Sequence, residues 1–168
     1  MENIKIELAT INDLPKILDI YSVARKYMKE IGNETHWGEN YPPKEMLIND
    51  IKNKILYVIK KDNEVHAVFA FIIGEDPTYL KIYEGNCLSE DKYGVIHRIA
   101  SDMKMKGILL LAIKFALSKI NHLRIDTHKN NKLMNEALIK YGFSFRGIIY
   151  IDDGTKRNAY EYCKFNEF

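Results

Sequence analysis

The sequence predicts an α/β fold, one mixed and mostly antiparallel sheet flanked by helices, in a single domain over residues 1–168. Three observations carry this. Residues 65–73 (VHAVFAFII) form an unbroken apolar run, the pattern of a central strand buried on both faces. Residues 93–143 read as strand, polar loop, helix, strand and helix in immediate succession. The chain closes with segments 145–151 and 156–165 around Asp152-Asp153-Gly154, a hairpin pattern.

Residues 4–8 (IKIEL) alternate apolar and polar and predict a half-buried strand. Thr10 caps the helix that follows, with Asp13 three residues on in a capping-box position. Pro15 stands in the first turn, where its missing N–H does no harm. Leu14, Ile17, Leu18, Tyr21, Ala24 and Met28 recur at helical spacing, interrupted by Arg25, so the helix runs to about Glu30 with Gly32 beyond its end. Residues 33–43 (NETHWGENYPP) form a loop that holds the chain's one tryptophan, Trp37, with His36 and Tyr41. Aromatic rings in a loop must pack on something to escape water. A second helix covers 44–53, with Met46, Leu47, Ile48 and Ile51 apolar. Strand 55–59 turns at 60–64 (KKDNE) into the central strand, which Gly74-Glu75-Asp76-Pro77 ends. Residues 78–83 read equally as a short extra strand or an excursion, and 85–92 as a polar loop.

The remaining core is strand 93–101, loop 102–106, an apolar helix 108–120 opened by Gly107, strand 123–127, and helix 132–141 closed by Gly142. The loop before the first of these helices is the chemically distinctive part. First-turn amides have no intrahelical partner and carry the positive end of the helix dipole, so they suit a phosphate. Gly107 lets a ligand approach the backbone, and Lys104 and Lys106 add positive charge. An ordinary solvated turn in a βαβ unit has the same composition, so both readings stand on these residues alone.

The 168 residues are 46% apolar and 29% charged, which suits a packed core under a solvated surface. A net charge of +2 gives no ground for nucleic-acid or membrane binding. The start, MENIKIELA, lacks a signal-peptide pattern, and no apolar run approaches the roughly 18 residues of a membrane span, so a cytoplasmic protein is expected. Cys87 and Cys163 form no C-x-x-C; two free thiols are the simpler expectation, and a disulfide stays open. No metal site is expected, because His36, His66, His97, His122 and His128 show neither i,i+4 pairing nor cysteine partners.

The segment His97-Arg98-Ile99-Ala100-Ser101, then Lys104-Met105-Lys106-Gly107-Ile108-Leu109, then Asn131 and Gly142-Phe143, resembles the acyl-CoA-binding core of the GCN5-related N-acetyltransferases (GNAT). That superfamily has an R-I-A-V-like strand end, an Arg/Gln-x-x-Gly-x-Gly/Ala loop, and an asparagine before a helix that closes in Gly-Phe. The resemblance covers the whole chain in order of elements and the second half in motifs. It implies the GNAT fold and acetyl transfer from acetyl-CoA to an amine, with no other cofactor. It places the acyl donor on Ile99, Ala100 and Ser101, on Lys104, Met105, Lys106, Gly107, Ile108 and Leu109, and on Asn131. Three departures stand out. Lys104 replaces the usual Arg/Gln, Leu109 replaces the second Gly/Ala, and Leu138 occupies the place of the family's frequent proton-donating tyrosine.

Direct attack needs a neutral amine, a donor for the developing oxyanion and a proton for the leaving thiolate. Alternation along 93–101 puts Tyr93, Val95, His97, Ile99 and Ser101 on one face and Ile96, Arg98 and Ala100 on the other. His97 is the expected base, because an imidazole titrates near neutral pH; a hydrogen-bonded core histidine is the alternative. Arg98 is expected to contact substrate or to pair with Glu84 or Asp126. Thr127 and His128 end a strand and either meet the acyl donor's arm or form a simple turn, and Asn131 is expected to cap the next helix. Tyr150 is the expected proton donor, with Tyr141 a second hydroxyl in the region. The resemblance sets the acceptor against His36, Trp37 and Tyr41, although Trp37 capping the core stands beside that reading; Tyr79 and Tyr83 are further pocket candidates. The acceptor is expected to be a small-molecule amine and the protein a monomer or homodimer. A non-catalytic acyl-CoA sensor and a protein N-terminal or lysine acetyltransferase are the alternatives.

Overall fold

The computed structural model describes residues 2–32, 40–152 and 154–164. Its elements follow the predicted order: β1 (Ile4–Leu8), α1 (Leu14–Glu30), α2 (Lys44–Lys52), β2 (Leu56–Lys61), β3 (Glu64–Ile73), β4 (Gly94–Ser101), α3 (Ile108–Leu117), β5 (His122–Thr127), α4 (Lys132–Lys140), β6 (Ser144–Tyr150) and β7 (Lys156–Cys163). The strands form one sheet in the order β1-β2-β3-β4-β5-β7-β6. β1–β2, β2–β3, β5–β7 and β6–β7 pair antiparallel, and β4–β5 pairs parallel. Backbone contacts divide the chain into two units: Met1–Phe71 with His97–Ile113, and Ile72–Ile96 with Lys114–Phe168. No helix among the described residues is long and apolar enough to cross a membrane.

In the first unit the apolar stripe of α1 (Leu14, Ile17, Ile20, Tyr21, Ala24) and Leu47 of α2 bury against Leu56, Val58, Val65, Val68, Ala70 and Ala100. Each fully buried Leu or Ile there contributes about 1.5–3 kcal/mol relative to exposure. The predicted cap forms: the Thr10 backbone N–H donates to Asp13 Oδ2 at 2.9 Å, and Pro15 falls in the first turn of α1. Residues 65–71 of β3 are all buried, as an apolar run without alternation requires.

β4 departs from the predicted simple alternation. Arg98 has φ +52° inside the strand, a left-handed conformation that costs a non-glycine residue about 1–2 kcal/mol. Two contacts hold it. The Tyr21 hydroxyl donates to the Arg98 carbonyl at 2.7 Å, and the Arg98 guanidinium pairs with the buried Asp50 of α2. The partner is therefore Asp50, and neither Glu84 nor Asp126. Burial works against the guanidinium's charge, but Asp50, with Tyr21 and Tyr41, outweighs it and raises the pKa above the usual value. Tyr21 is 0% exposed. Burial pushes its phenol well up, Arg98 pulls it back, and Asp50 and Tyr41 add to the rise.

Tyr21→Phe should leave that carbonyl without its donor, at a cost of about 1–3 kcal/mol, and lower the melting temperature by about 2–12 °C. The folded phenol ionises at higher pH than the unfolded one. The stability it supplies is therefore complete below about pH 10 and falls as pH rises beyond it. Melts at pH 8 and 10.5 check both points: the variant should be weaker at pH 8 and should lose less between the two. An unchanged melt at pH 8 would mean that the carbonyl has another donor.

In the second unit β5 pairs with β7, and β7 with β6, around a core of Tyr79, Tyr93, Val95, Ile149 and Ala159. Residues 78–83 contribute no strand. Pro77–Tyr79 is a 3-10 turn capped by Asp76, whose side chain accepts from the Thr78 N–H at 2.9 Å, and Tyr83 makes a single bridge to Ile148. That bridge needs glycine beside it, since a Cβ on Gly85 would lie 1.8 Å from the Arg146 carbonyl oxygen. Glu161 is buried and satisfied: Oε1 accepts from the Leu88 N–H at 2.7 Å, and Oε2 meets His122 Nε2 and Arg124 Nε, the latter at 3.4 Å. Cys87 and Cys163 are free.

Candidate active site

The strand end, loop and helix start expected to hold the acyl donor lie together in the first unit. After Ser101 the backbone turns sharply. The Met103 N–H donates to Ser101 Oγ at 2.9 Å, the Lys104 N–H to Asp102 Oδ1 at 3.0 Å, and Met103 takes φ +67°. Asp102 anchors this turn. Its N–H donates to the His66 carbonyl at 3.0 Å, and its Oδ2 faces His66 Nδ1 at 2.8 Å and Lys16 Nζ at 3.9 Å. These cationic and polar partners offset a negative charge that would otherwise stand beside the proposed phosphate site.

Gly107 then has φ +76°, and among the described residues no atom beyond its own and its chain neighbours' comes within 4 Å of where its Cβ would be. The first helical bond of α3 runs from the Leu111 N–H to the Gly107 carbonyl at 3.0 Å. The amides of Ile108, Leu109 and Leu110 therefore precede the hydrogen-bonded ladder. Lys104 and Lys106 are exposed. Open space over a left-handed glycine, unladdered amides and two cationic side chains fit a pyrophosphate.

The same unit holds His97, half-buried on β4 immediately before the left-handed Arg98. Ile99 and Ser101 are half-buried and Ala100 joins the core. The Tyr41 carbonyl accepts from Arg25 Nη1 at 3.3 Å, so the residue that interrupts the stripe of α1 ties the incoming loop to the helix. His36 and Trp37 lie outside the described residues. Asp50, Tyr21 and Asp102 were not singled out from the sequence. Asp50 carried a signal, as a carboxylate three residues after the buried Leu47 on the inner face of α2.

In the second unit Tyr79, Asn131 and Tyr150 occupy separate places. Tyr79 is 3% exposed, and its hydroxyl donates to Asp126 Oδ1 at 2.8 Å. Burial, then the Asp126 carboxylate, push that phenol well above its usual value. Tyr79 is thus a buried prop for Asp126 more than a pocket wall. Asn131 caps α4, its side chain accepting from the Met134 N–H at 3.3 Å. Asn135 is the hub there. Its Nδ2 donates to the carbonyls of His128 (3.1 Å) and Asn131 (2.8 Å), and its Oδ1 accepts from the Tyr160 hydroxyl (2.6 Å) and Asn158 Nδ2 (3.1 Å). Thr127 is 2% exposed with its hydroxyl unbonded among the described residues. Burial, Arg157 and Lys129 hold His128 below the usual histidine value. Tyr150 is 41% exposed, and its ring meets that of Tyr83 edge-on at 5.1 Å.

The expectation that no histidine finds a cysteine partner fails on the sheet. Register sets His122 opposite Cys163, and ligand atoms of His122, Glu161 and Cys163 lie within 4.8 Å of one another. Alternation on two paired strands brings them together, which spacing in one segment cannot reveal. Arg124 and the Leu88 amide already satisfy the Glu161 carboxylate there.

No protein-family model and no curated protein matches the chain in sequence. The likeness is to solved structures. A GNAT-family acetyltransferase from Streptococcus agalactiae is 29% identical, with 97% of this chain and 96% of that one covered at a TM-score of 0.86. A GNAT-family acetyltransferase from Listeria monocytogenes is 20% identical, with 96% and 95% covered at 0.71. An N-acetyltransferase from Staphylococcus aureus is 19% identical, with 96% and 98% covered at 0.62. The chain belongs to the GNAT superfamily. Within that frame two departures acquire a place. Leu138, where the family's tyrosine is frequent, is fully buried and cannot supply a proton. Leu109, in the position of the second small residue of the GNAT loop, is half-buried in the first turn of α3.

Proposed function

We propose that this GNAT protein transfers the acetyl group of acetyl-CoA to the nitrogen of a small-molecule amine by direct attack. The observation that carries the reading is the turn from β4 into α3, where Gly107 and the amides of Ile108, Leu109 and Leu110 offer an anion cradle beside Lys104 and Lys106. Acetyl-CoA is a substrate, and its pyrophosphate would rest there. Ile99, Ala100 and Ser101 would border its thioester end.

The chain's own residues then have defined tasks. His97 takes a proton from the attacking amine, whose lone pair forms the new C–N bond as the C–S bond breaks. Positioning supplies most of the acceleration, because the acyl group arrives already activated. The reading makes the protein cytoplasmic, where acetyl-CoA is held and the free Cys87 and Cys163 stay reduced.

Calorimetric titration tests the donor half. Acetyl-CoA should bind, and pantetheine derivatives lacking the pyrophosphate should bind much more weakly. Equal affinity for both would contradict the cradle. The burial of Leu138 favours one second reading, an acyl-CoA sensor without turnover. Such a protein would bind acetyl-CoA normally and release no CoA with any amine.

A further inference from the structure

The turn that leads into α3 is tied to β3 by a pair of buried side chains. His66 is 8% exposed, and its Nδ1 lies 2.8 Å from Asp102 Oδ2. A carboxylate only accepts, so Nδ1 carries the proton and donates it. The other oxygen, Oδ1, accepts from the Lys104 N–H at 3.0 Å, and the Asp102 N–H donates to the His66 carbonyl at 3.0 Å. From α1, Lys16 Nζ stands 3.9 Å from Asp102 Oδ2 and 3.9 Å from Glu64 Oε1. Asp102 thus joins β3 and α1 to the backbone of the loop. All of these residues belong to the first unit, with Gly107 and the start of α3.

By charge alone an aspartate is the wrong residue for this loop, since it stands shortly before the place of a pyrophosphate and anions repel. What it supplies is shape. Met103 and Gly107 both take positive φ, and Ser101 Oγ and Asp102 Oδ1 hold the N–H groups of Met103 and Lys104. A ligand that must first order its loop binds more weakly than one that finds the loop already shaped. We propose that His66 and Asp102 are positioning residues for the acyl donor. His66, acting through Asp102, holds the 101–104 turn in the shape that presents the amides of Ile108, Leu109 and Leu110 to the pyrophosphate. The Lys104 N–H, taken by Asp102, serves the turn and leaves the anion to those three amides. This rests on the acetyl-CoA reading.

The test is calorimetric titration with acetyl-CoA at neutral pH, on variants shown by thermal melts to be folded. Asp102→Ala removes an anion and leaves Lys16 less neutralised, so charge alone would tighten binding. Loss of the turn should instead raise Kd about 5- to 30-fold, as the fraction of loops in the competent shape falls. His66→Leu should raise Kd by a similar factor. His66→Asn should restore Kd to within about threefold of wild type, because its amide N–H stands where the Nδ1–H did; a merely structural loss at this position would not be rescued in this way. If His66→Leu fails to fold, Asp102→Ala carries the test. Asp102→Ala binding as tightly as wild type or tighter, or His66→Asn binding as weakly as His66→Leu, overturns the inference while leaving the acetyl-CoA reading intact. A wild type that binds no acetyl-CoA overturns both.

Discussion

Gly107→Asp should weaken acetyl-CoA binding by at least about 100-fold in calorimetric titration. Two effects act together. A carboxylate at the opening of α3 faces the pyrophosphate, and like charges about 4 Å apart repel by about 4 kcal/mol at an effective dielectric of 20. The side chain also fills a space in which, among the described residues, no atom beyond the chain neighbours lies within 4 Å of the missing Cβ. Because an added Cβ meets nothing among the described residues beyond its chain neighbours, the cost to folding is the strain of φ +76° on a non-glycine residue, about 1–2 kcal/mol. Gly107→Ala separates the two. It carries the same strain without the charge and should keep acetyl-CoA affinity within about tenfold. Binding unchanged by Gly107→Asp would remove the donor from this end of α3.

His97→Gln should lower kcat/KM by about two to four powers of ten, the usual effect of losing a general base. Acetyl-CoA affinity should stay within about twofold, since the cradle lies beyond Ser101 and uses amides. Kinetics from pH 5.5 to 9 should show the acidic limb of the wild-type profile displaced or lost in the variant. A folded variant with an unchanged rate and profile would make His97 structural and leave the proton to water. The position fits the task through its neighbour. The left-handed Arg98 breaks the strand directly after His97, and Tyr21 and Asp50 hold that break from α1 and α2.

What the sequence disclosed divides by distance along the chain. The order of elements followed from local periodicity, and the Thr10–Asp13 and Asn131 caps were legible because donor and acceptor lie three residues apart. The Gly107 turn was legible for the same reason. The break in β4 was not. Arginine has no preference for positive φ, and the groups that impose it come from 77 and 48 residues away. Tyr79 illustrates the same limit. Its aromatic character suggested a pocket, while its actual work, holding Asp126, depends on a contact 47 residues distant. Asn135 gave no signal at all, because a hub needs several partners and the sequence shows one asparagine among three nearby.

The most direct measurement is of product. The protein is incubated with isotopically labelled acetyl-CoA and a panel of amines, and acetylated amine and free CoA are quantified together by mass spectrometry. The account predicts one labelled acetyl-amine for each CoA released, dependent on both protein and amine and lost with Gly107→Asp. Release of CoA without labelled amine, or binding of acetyl-CoA with no release at all, would contradict it.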